Sequence, residues 1–317
     1  MLLLSAPRSG STILAHALAN TGKIYSASEP WILLALDQLG RTNLRSEVGS
    51  WHLAKATRDF LGPDRDRLLA MVARLIYASK LPREIEFFLD KTPRYYWIVP
   101  FVRRLFPNEK FIVLHRDPLD IAASFKTTWR VDLTGDVIVK NGETILFDLF
   151  LGVENIRKIS ETDLPNACFI SYERLVAEPV ATVAAVLRHF EIDASDSDIA
   201  KSGRVRTDAI NPNHFGDQKI RQTCLVHNQS VGTWRNVLEQ EEAELVAAYF
   251  NLDVAELPGA KSEVTQRRAQ NLATKLNELL SLRRMQSDAS YEFDVILPDV
   301  ERRTRWLYGE FLSAGPR

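Results

Sequence analysis

The sequence "LLLSAPRSGSTIL", residues 2–14, combines three local signals in a fixed order. An apolar run from Leu2 to Leu4 indicates a short buried strand, small residues around Gly10 indicate a loop, and the apolar spacing that follows indicates a helix. In a strand–loop–helix unit, backbone N–H groups of the loop and the positive end of the helix face one concave site. The stretch therefore predicts an anion-binding loop.

The predicted anion ligands are contiguous within this loop. Arg8 supplies a fork of charge-assisted donors, and Gly10 allows the backbone to approach an anion closely. The complete predicted set is Arg8, Ser9, Gly10, Ser11 and Thr12. Against the nucleoside-triphosphate loop GxxxxGK[ST], Ser5 replaces the first glycine and Ser11 replaces the lysine. Because that lysine reaches the β- and γ-phosphates, its absence argues against ATP or GTP chemistry.

Composition limits the class of protein. The chain has 317 residues, 45% of them hydrophobic, so it can bury a sizeable core. A net charge of -1 argues against a general nucleic-acid binder. The two cysteines, Cys168 and Cys224, are too far apart to suggest a zinc knuckle or a disulfide framework. No apolar run is long enough for an integral membrane segment, and the first residues are too few for a signal peptide. These features predict a cytoplasmic protein.

Strand and helix patterns alternate along the chain. Strands are predicted near residues 2–4, 24–25, 84–91, 110–115 and 167–172, with helical patterns between them, including 95–105 and 144–160. This alternation predicts an α/β protein with a P-loop-type three-layer fold, in which a mostly parallel central sheet is flanked by helices. We expect one domain over 1–250 and a helical extension over 251–317 packed on the same domain. The polar stretch 202–234 is predicted to be a functional loop.

A second anion site is predicted from "KFIVLHRDPLDIAASF", residues 110–125. It repeats the strand–turn–helix arrangement, with Asp117 as N-cap and Pro118 at the first helical position. Arg116 ends the strand and Ser124 lies within the helix. Since ligands of open α/β sheets bind at the carboxyl ends of the strands, both side chains can converge on one anion there.

Taken together, these motifs resemble the sulfotransferases that use 3'-phosphoadenosine 5'-phosphosulfate (PAPS). "APRSGST" resembles their 5'-phosphosulfate loop, in the arginine form found in tyrosylprotein and many bacterial members. "FIVLHRDPLDIAASF" resembles their 3'-phosphate motif. "SYERLVAEPVATVAAVLRHFEI" is similar to the segment whose tyrosine, here Tyr172, lies against the adenine, and "SVGTWRNVL" resembles the late Gly-x-Trp element, with Gly232. The resemblance covers residues 2–250 and implies in-line sulfuryl transfer to a hydroxyl or amine, with adenosine 3',5'-bisphosphate (PAP) as product and no metal.

The resemblance also places the catalytic residues. Cytosolic members carry a histidine base two residues after the strand-ending lysine, and Pro93 stands there in this chain. Other members use a glutamate after the second strand, which implies Glu29 as the general base. Lys91 and Arg8 are implied as the cations near the sulfonate. A first-turn helix carboxylate for Glu29 and a solvated strand-end side chain for Lys91 are the alternative interpretations.

Two departures leave positions without a predicted role. Related bacterial sequences have a histidine where this chain has Tyr95. The Arg-Lys-Gly triplet before the late element reads His227, Asn228 and Gln229 here. The 3'-phosphate would then rely on Arg116 and Ser124, and four basic residues of the long loop are further candidates: Arg204, Arg206, Lys219 and Arg221.

Two rival functions also fit parts of the sequence. Asp90 ends an apolar strand, as the metal-binding strand of an ATP- and Mg²⁺-dependent phosphotransferase would. A non-catalytic nucleotide-binding protein could keep Arg116 and Ser124 without a base. For a sulfotransferase, the expected partner is a small-molecule, carbohydrate or glycolipid acceptor, and peptide tyrosine is a further candidate.

Overall fold

The apolar runs of the sequence pair side by side as parallel strands. The computed structural model describes residues 1–39, 47–160, 164, 166–203 and 228–288. Within these residues, one five-stranded sheet has the order β2-β3-β1-β4-β5, and every pairing is parallel. The strands are β1 (Leu2–Ser5), β2 (Ile24–Ser28), β3 (Phe87–Lys91), β4 (Phe111–His115) and β5 (Ala167–Ser171). The predicted α/β class with a mostly parallel central sheet is confirmed.

Strand order places the loop after β1 at the centre of the sheet. From β1 the chain moves outward to β2 and returns to β3, and it then crosses β1 to reach β4 and β5. The order therefore reverses between β1 and β4, which is the switch point where such sheets bind ligands. The register aligns Ser28 with Lys91, and His115 with Ser171, at the same edge. The strand ends that carry candidate residues are thus neighbours.

Helices lie between and after the strands along the chain. Up to β4 they are α1 (Ser11–Ala19), α2 (Ile32–Asp37), α3 (Glu47–Leu61), α4 (Arg65–Lys80) and α5 (Val99–Leu105). The next group is α6 (Pro118–Trp129), α7 (Val137–Lys140), α8 (Glu143–Leu146) and α9 (Val153–Ser160). The last group is α10 (Tyr172–Ala177), α11 (Pro179–His189), α12 (Asp196–Ala200), α13 (Trp234–Val237), α14 (Gln240–Tyr249) and α15 (Glu263–Asp288). Short 3-10 turns occupy Gly62–Asp64, Pro93–Trp97, Lys201–Gly203 and Pro258–Lys261.

Two predicted helices differ from the structure. The helix predicted over 95–105 is a 3-10 turn, Pro93–Trp97, followed by α5. Pro100 lies in the first turn of α5, where a missing N–H costs nothing, whereas it would break a helix interior. The helix predicted over 144–160 is interrupted by a π-helical segment, Phe147–Gly152, and such segments often occur at functional sites.

Both faces of the sheet are buried. On one face, Leu3, Ile112 and Leu114 pack in a core cluster with residues of α1 and α11. Successive side chains of a strand point to opposite faces, and the intervening residues Leu4 and Val113 are also fully buried. Helix α9 contacts β1 and β4. Helical layers therefore exclude water from both faces, and the polar loops at the strand ends remain as the place for a site.

The described residues form two compact units. Those within Met1–Asp37 and Asp66–Leu276 form the first, and those within Gln38–Arg65 and Asn277–Arg317 form the second. The sheet belongs to the first unit. The division of the chain near residue 250 stays a prediction. Most of the predicted 202–234 loop, with its four basic candidates, lies outside the described residues, as does the predicted helical extension from residue 289 onward. No helix in the described ranges has the length and apolar character needed to span a bilayer.

Candidate functional site

The loop after β1 has an unusual backbone. Arg8 has φ 67°, and Gly10, the N-cap of α1, has φ 87°. A Cβ atom at Gly10 would lie 2.3 Å from Cδ2 of Tyr172, well inside contact distance. Glycine is therefore required here for its left-handed φ and for the close approach of an aromatic ring. The sequence indicated only that Gly10 would let the backbone approach an anion.

Arg116 lies at the centre of the first group of site residues. Its Nη1 donates to the carbonyl oxygen of Arg8 (2.9 Å), and its Nη2 donates to that of Ser230 (2.7 Å). Its guanidinium carbon lies 4.4 Å from the ring centroid of Tyr172, whose hydroxyl is 2.5 Å from Oγ of Ser230. Arg8 Nε donates to Oγ of Ser124 (3.0 Å). We call these five residues the Arg116 cluster.

The electrostatics of Arg116 suit an anion. Burial lowers the pKa of its guanidinium, and the nearby Tyr172, Asp120 and Glu173 oppose that shift. A guanidinium nevertheless stays protonated in proteins, so the cluster holds a buried positive charge. The buried Nε of Arg116 has no hydrogen-bond acceptor in the part of the chain that the structure describes. A buried cation with an unused donor is arranged to receive a further acceptor group.

Asp120, which the sequence analysis did not single out, holds the late Gly-x-Trp element in place. Its carboxylate accepts hydrogen bonds from the backbone N–H of Gly232 (2.7 Å) and of Trp234 (3.1 Å), and from the hydroxyl of Thr233 (3.3 Å). These contacts keep Ser230 within reach of Arg116. The available signal was an aspartate between Leu119 and Ile121 in the apolar pattern that became α6, because a carboxylate that such a pattern buries needs donors.

A second group of site residues surrounds Glu29. Lys91 Nζ lies 3.1 Å from Oε1 of Glu29 and donates to Oγ1 of Thr12 at 3.4 Å. This contact follows from the register, since Ser28 aligns with Lys91 and Glu29 comes next in the chain. The side chain of Lys91 is 1% exposed and that of Glu29 is 15% exposed. We call Thr12, Glu29 and Lys91 the Glu29 cluster.

Both alternative interpretations of this pair are wrong. Lys91 is not a solvated strand-end lysine, because its ammonium group is buried against a carboxylate. Glu29 is not a first-turn helix carboxylate, because α2 begins only at Ile32 and Glu29 has φ 43°. Burying a charge is unfavourable unless an opposite charge pairs with it. The Lys91 ammonium group and the Glu29 carboxylate are therefore held close to each other.

A further ion pair, with Arg94 half-buried and Asp148 fully buried, borders the Glu29 cluster. Arg94 donates to both carboxylate oxygens of Asp148, with its shortest contact 2.6 Å long, and Tyr96 donates to Asp148 at 2.7 Å. Burial by itself would lower the pKa of Arg94, but the hydrogen bonds and charge of Asp148 outweigh it and raise that pKa. The guanidinium also lies 5.4 Å from the ring centroid of Trp31. The lone aspartate within "LFDLFLG" was the signal that sequence reasoning missed.

Asp90 is fully buried, and hydroxyl groups surround it. Oδ1 accepts from Thr92 (3.0 Å), and Oδ2 accepts from Tyr77 (2.5 Å) and Tyr95 (2.6 Å). Burial raises the pKa of Asp90, and the three hydroxyl donors oppose that rise. Both oxygens that a metal ion would need are thus engaged by the protein itself. Across the described ranges, no three His, Cys, Asp or Glu side chains are grouped as metal ligands.

Comparison with known proteins identifies the family. A model of the sulfotransferase family matches residues 1–196, more than half of the 317 residues. The chain belongs to the sulfotransferase family. The matched region contains β1 to β5 and every residue of the two clusters except Ser230.

One relative and two solved structures are similar to this chain. Nodulation protein NoeE of Sinorhizobium fredii is 31% identical over 268 residues, which are 80% of this chain and 64% of NoeE. This chain therefore spans less than two thirds of that relative's length. The sulfotransferase domain of the Synechococcus PCC 7002 olefin synthase has a TM-score of 0.53 at 21% identity, covering 80% of this chain and 94% of that one. The sulfotransferase domain from the curacin biosynthetic pathway has a TM-score of 0.51 at 17% identity, covering 80% and 97%. The two structures support the fold.

Within this sulfotransferase chain, the predicted residues lie in two connected places. The Arg116 cluster contains four of them and the Glu29 cluster contains three. Ser9 and Gly10 lie on the loop between the clusters, and Ser11 begins α1. Ser9 and Ser11 are buried, and the backbone N–H of Ser9 closes a turn on the carbonyl of Ala6 at 3.3 Å. Gly232 lies two residues after Ser230, and its backbone N–H donates to Asp120. The catalytic and binding roles of these residues stay predictions.

Proposed function

We propose that this chain transfers the sulfuryl group of PAPS to a hydroxyl or amine acceptor by in-line displacement and releases PAP. The observation that carries the proposal is the loop between the clusters, in which Arg8 and Thr12 are four residues apart. Arg8 belongs to the Arg116 cluster and Thr12 contacts Lys91. This short stretch therefore joins two groups of residues that each contain a cation, Arg116 in one and Lys91 in the other. A donor with a 3'-phosphate and a 5'-phosphosulfate presents anionic groups at two positions and matches this arrangement.

The residues at the Arg116 cluster fit the nucleotide. A guanidinium has five N–H donors, and two carbonyl groups use only two of those of Arg116. The buried Nε lacks an acceptor in the described part of the chain, and a phosphate oxygen would provide one. We propose that Arg116 and Ser124 bind the 3'-phosphate and that residues 8–12 bind the phosphosulfate, through backbone N–H groups at the start of α1 and through the side chain of Arg8. Tyr172 is proposed to border the adenine.

At the Glu29 cluster we propose acid–base and electrostatic roles. When bound, PAPS would supply the sulfuryl group together with a nucleotide leaving group. Glu29 would accept the proton of the acceptor hydroxyl, since a carboxylate is a proton acceptor when held in reach. Lys91, buried between Glu29 and Thr12, would orient that carboxylate and, with Arg8, would donate to oxygens that gain negative charge during transfer.

The acceptor and location follow the sequence-based expectations. We propose a small-molecule, carbohydrate or glycolipid hydroxyl as the acceptor, and the cytoplasm as the location. No protein ligand set for a metal is part of the proposed mechanism, because the cations that it uses are Arg8, Lys91 and Arg116.

Ligand-induced stabilisation tests the donor. We expect PAP without added metal to raise the melting temperature by several degrees, and more than ATP with Mg²⁺ does, because a ligand that binds only the native state stabilises it. An ATP- and Mg²⁺-dependent phosphotransferase predicts the reverse order, and that order would overturn the proposal.

Transfer itself is tested with PAPS labelled in the sulfuryl group and a panel of carbohydrate, glycolipid, phenol and peptide-tyrosine acceptors. We expect label to enter one hydroxyl class, and we expect Glu29→Gln to lose this transfer. Strong PAP binding without transfer to any class would favour the non-catalytic nucleotide-binding protein instead.

A further inference from the structure

The backbone next to the proposed base is strained. Glu29 has φ 43° and Trp31 has φ 58°, which is the left-handed region that bulky side chains rarely occupy. A non-glycine residue persists in that region only where its surroundings determine the conformation. Segment 29–33 must therefore be held from outside.

Two hydroxyl groups on neighbouring residues hold this segment. The backbone N–H of Trp31 donates to Oγ1 of Thr92 at 3.4 Å, and the backbone N–H of Leu33 donates to the hydroxyl oxygen of Tyr95 at 3.2 Å. Thr92 and Tyr95 are both completely buried. Leu33 lies in the first turn of α2, where N–H groups lack helical acceptors. Each hydroxyl oxygen thus satisfies a backbone donor just after Glu29.

Asp90 sets the direction of both hydroxyl groups. Its two oxygens accept the protons of Thr92 (3.0 Å) and Tyr95 (2.6 Å). Each hydroxyl oxygen accepts from a backbone N–H group of segment 29–33, so its single proton is left to point at Asp90. The chain of contacts runs from Asp90 through two hydroxyl groups to the backbone that carries the base.

We propose that Asp90, Thr92 and Tyr95 form a clamp that positions the carboxylate of Glu29 for proton transfer. The Asp90 clamp holds the strained backbone at Trp31 and Leu33, and Lys91, between Asp90 and Thr92 in sequence, contacts the Glu29 carboxylate directly. The clamp residues are positioning residues, since they act through the backbone. The proposal rests on the proposed role of Glu29, and it assigns a use to Tyr95 and Asp90 that the sequence did not.

Tyr77 provides a matched control for Tyr95. Both hydroxyl groups donate to Oδ2 of Asp90 at almost the same distance, 2.5 Å from Tyr77 and 2.6 Å from Tyr95. Burial raises the pKa of both hydroxyl groups. Of the two tyrosines, only Tyr95 accepts a hydrogen bond from segment 29–33 within the described residues. Tyr77→Phe and Tyr95→Phe therefore remove equivalent bonds to Asp90 and differ in the contact to the segment.

The first measurement compares the kinetics of the two variants. For Tyr95→Phe we expect kcat for sulfuryl transfer from PAPS to fall about 100-fold, because small displacements of a catalytic group have effects of that size. The KM for PAPS and the melting-temperature shift caused by PAP should remain close to wild type. Tyr77→Phe should stay within about threefold of wild type in kcat. Equal losses in both variants would overturn the clamp, because they would reflect the packing of Asp90 alone.

The second measurement does not depend on activity. With 5-fluorotryptophan incorporated, the ¹⁹F resonance of Trp31, assigned through Trp31→Phe, should shift or broaden in Tyr95→Phe and remain unchanged in Tyr77→Phe. Thr92→Val should perturb the same resonance, and Thr92→Ser, which keeps the hydroxyl, should restore it. An unperturbed Trp31 resonance in both Tyr95→Phe and Thr92→Val would overturn the proposal.

The two measurements separate the clamp from the proposed function. If wild type transferred no sulfuryl group, or if Glu29→Gln remained fully active, the role of Glu29 would be wrong. The Trp31 resonance would still show whether Tyr95 and Thr92 hold the segment. If Glu29→Gln lost activity while Tyr95→Phe kept both its kcat and the Trp31 resonance, the clamp alone would be wrong.

Discussion

The Arg116 cluster and the Glu29 cluster are joined by one loop but are built differently. In the Arg116 cluster, a guanidinium binds main-chain carbonyl groups from segments more than a hundred residues apart, and an aromatic ring covers it. In the Glu29 cluster, one carboxylate meets one buried ammonium group beside a strained backbone. The first cluster is held by several independent contacts. The second depends on the placement of a single group.

This difference indicates a division of labour. A site held by contacts from many segments suits tight binding of a ligand, because the free energy of binding does not depend on any single contact. A single oriented carboxylate suits a chemical step, because the rate rises only through interactions that are stronger in the transition state than in the bound substrate. We therefore expect substitutions in the Arg116 cluster to change affinity and substitutions in the Glu29 cluster to change turnover.

The largest expected effect tests the Glu29 cluster. Glu29→Gln should lower kcat about 10²- to 10⁴-fold, the range that general bases contribute, while the melting-temperature shift caused by PAP stays nearly intact. Initial rates with labelled PAPS and thermal unfolding with PAP measure the two effects. A variant that lost PAP binding together with turnover would show that the two clusters are not functionally separate.

The next effect tests the Arg116 cluster. Arg116→Ala should weaken PAP binding about 100-fold, because it removes a buried, hydrogen-bonded charge partner of the phosphate. Isothermal titration with PAP measures this change. Arg103→Ala, which removes an exposed arginine on α5, is the control and should bind as wild type does. Unchanged affinity in Arg116→Ala would mean that the 3'-phosphate binds elsewhere.

Gly10 tests the loop that joins the clusters. Gly10→Ala should lower the free energy of unfolding by about 2 to 4 kcal/mol, from its left-handed φ and from a clash with Tyr172. Gly22 has a similar φ, 72°, but open space around its Cα, so Gly22→Ala should cost only about 1 kcal/mol. Denaturant unfolding measures both values. Equal costs would show that the ring of Tyr172 moves aside freely.

Asp120 tests whether the late element supports the Arg116 cluster. Asp120→Asn should weaken PAP binding about tenfold, since a neutral amide accepts less strongly than a carboxylate from the N–H groups of Gly232 and Trp234. Asp136→Asn is the control, because the exposed Asp136 also accepts from two backbone N–H groups, those of Ile138 and Val139 at the start of α7. Similar PAP affinity in wild type and Asp120→Asn would indicate that residues 230–234 do not support the nucleotide site.

The smallest expected effect concerns His115, which directly precedes Arg116. Burial lowers the pKa of His115, and the charge of Arg157 acts in the same direction. Below the usual pKa of histidine the unfolded chain then binds more protons than the folded chain, so this contribution to stability is lost as pH falls. Unfolding at pH 7.5 and pH 5.5 should show a smaller loss in His115→Gln than in wild type. An equal loss in both would contradict this linkage.

Much of the fold could be predicted because its signals are local. The apolar runs that became β1 to β5 and the capping of α6 by Asp117, whose side chain accepts from Leu119, need only neighbouring residues. The helices over 95–105 and 144–160 were predicted less well. Local patterns cannot show where a proline shifts a helix start or where tertiary packing introduces a π-helical segment.

The site was predicted in its parts but not in its connections. Motif spacing singled out Arg8, Glu29, Lys91 and Arg116, whereas nothing in the sequence indicated that Arg116 would bind the carbonyl of Ser230. Asp120 and Asp148 were missed, although each stands among apolar residues, because the sequence does not show which distant segments supply their donors. Asp90 was considered as a metal ligand, and the structure instead surrounds it with three hydroxyl groups.

The sequence by itself determined the alternating α/β pattern, the loop of residues 5–12 and the chemical types of the site residues, since these depend on spacing over a few residues. Only the tertiary structure decided which of those residues meet. Parallel pairing of β2 with β3 brings Glu29 to Lys91, and the reversal of strand order at β1 brings Arg8 to Arg116. The physical reason is that contacts between segments far apart in the chain depend on strand order and register, which are set by packing of the whole sheet.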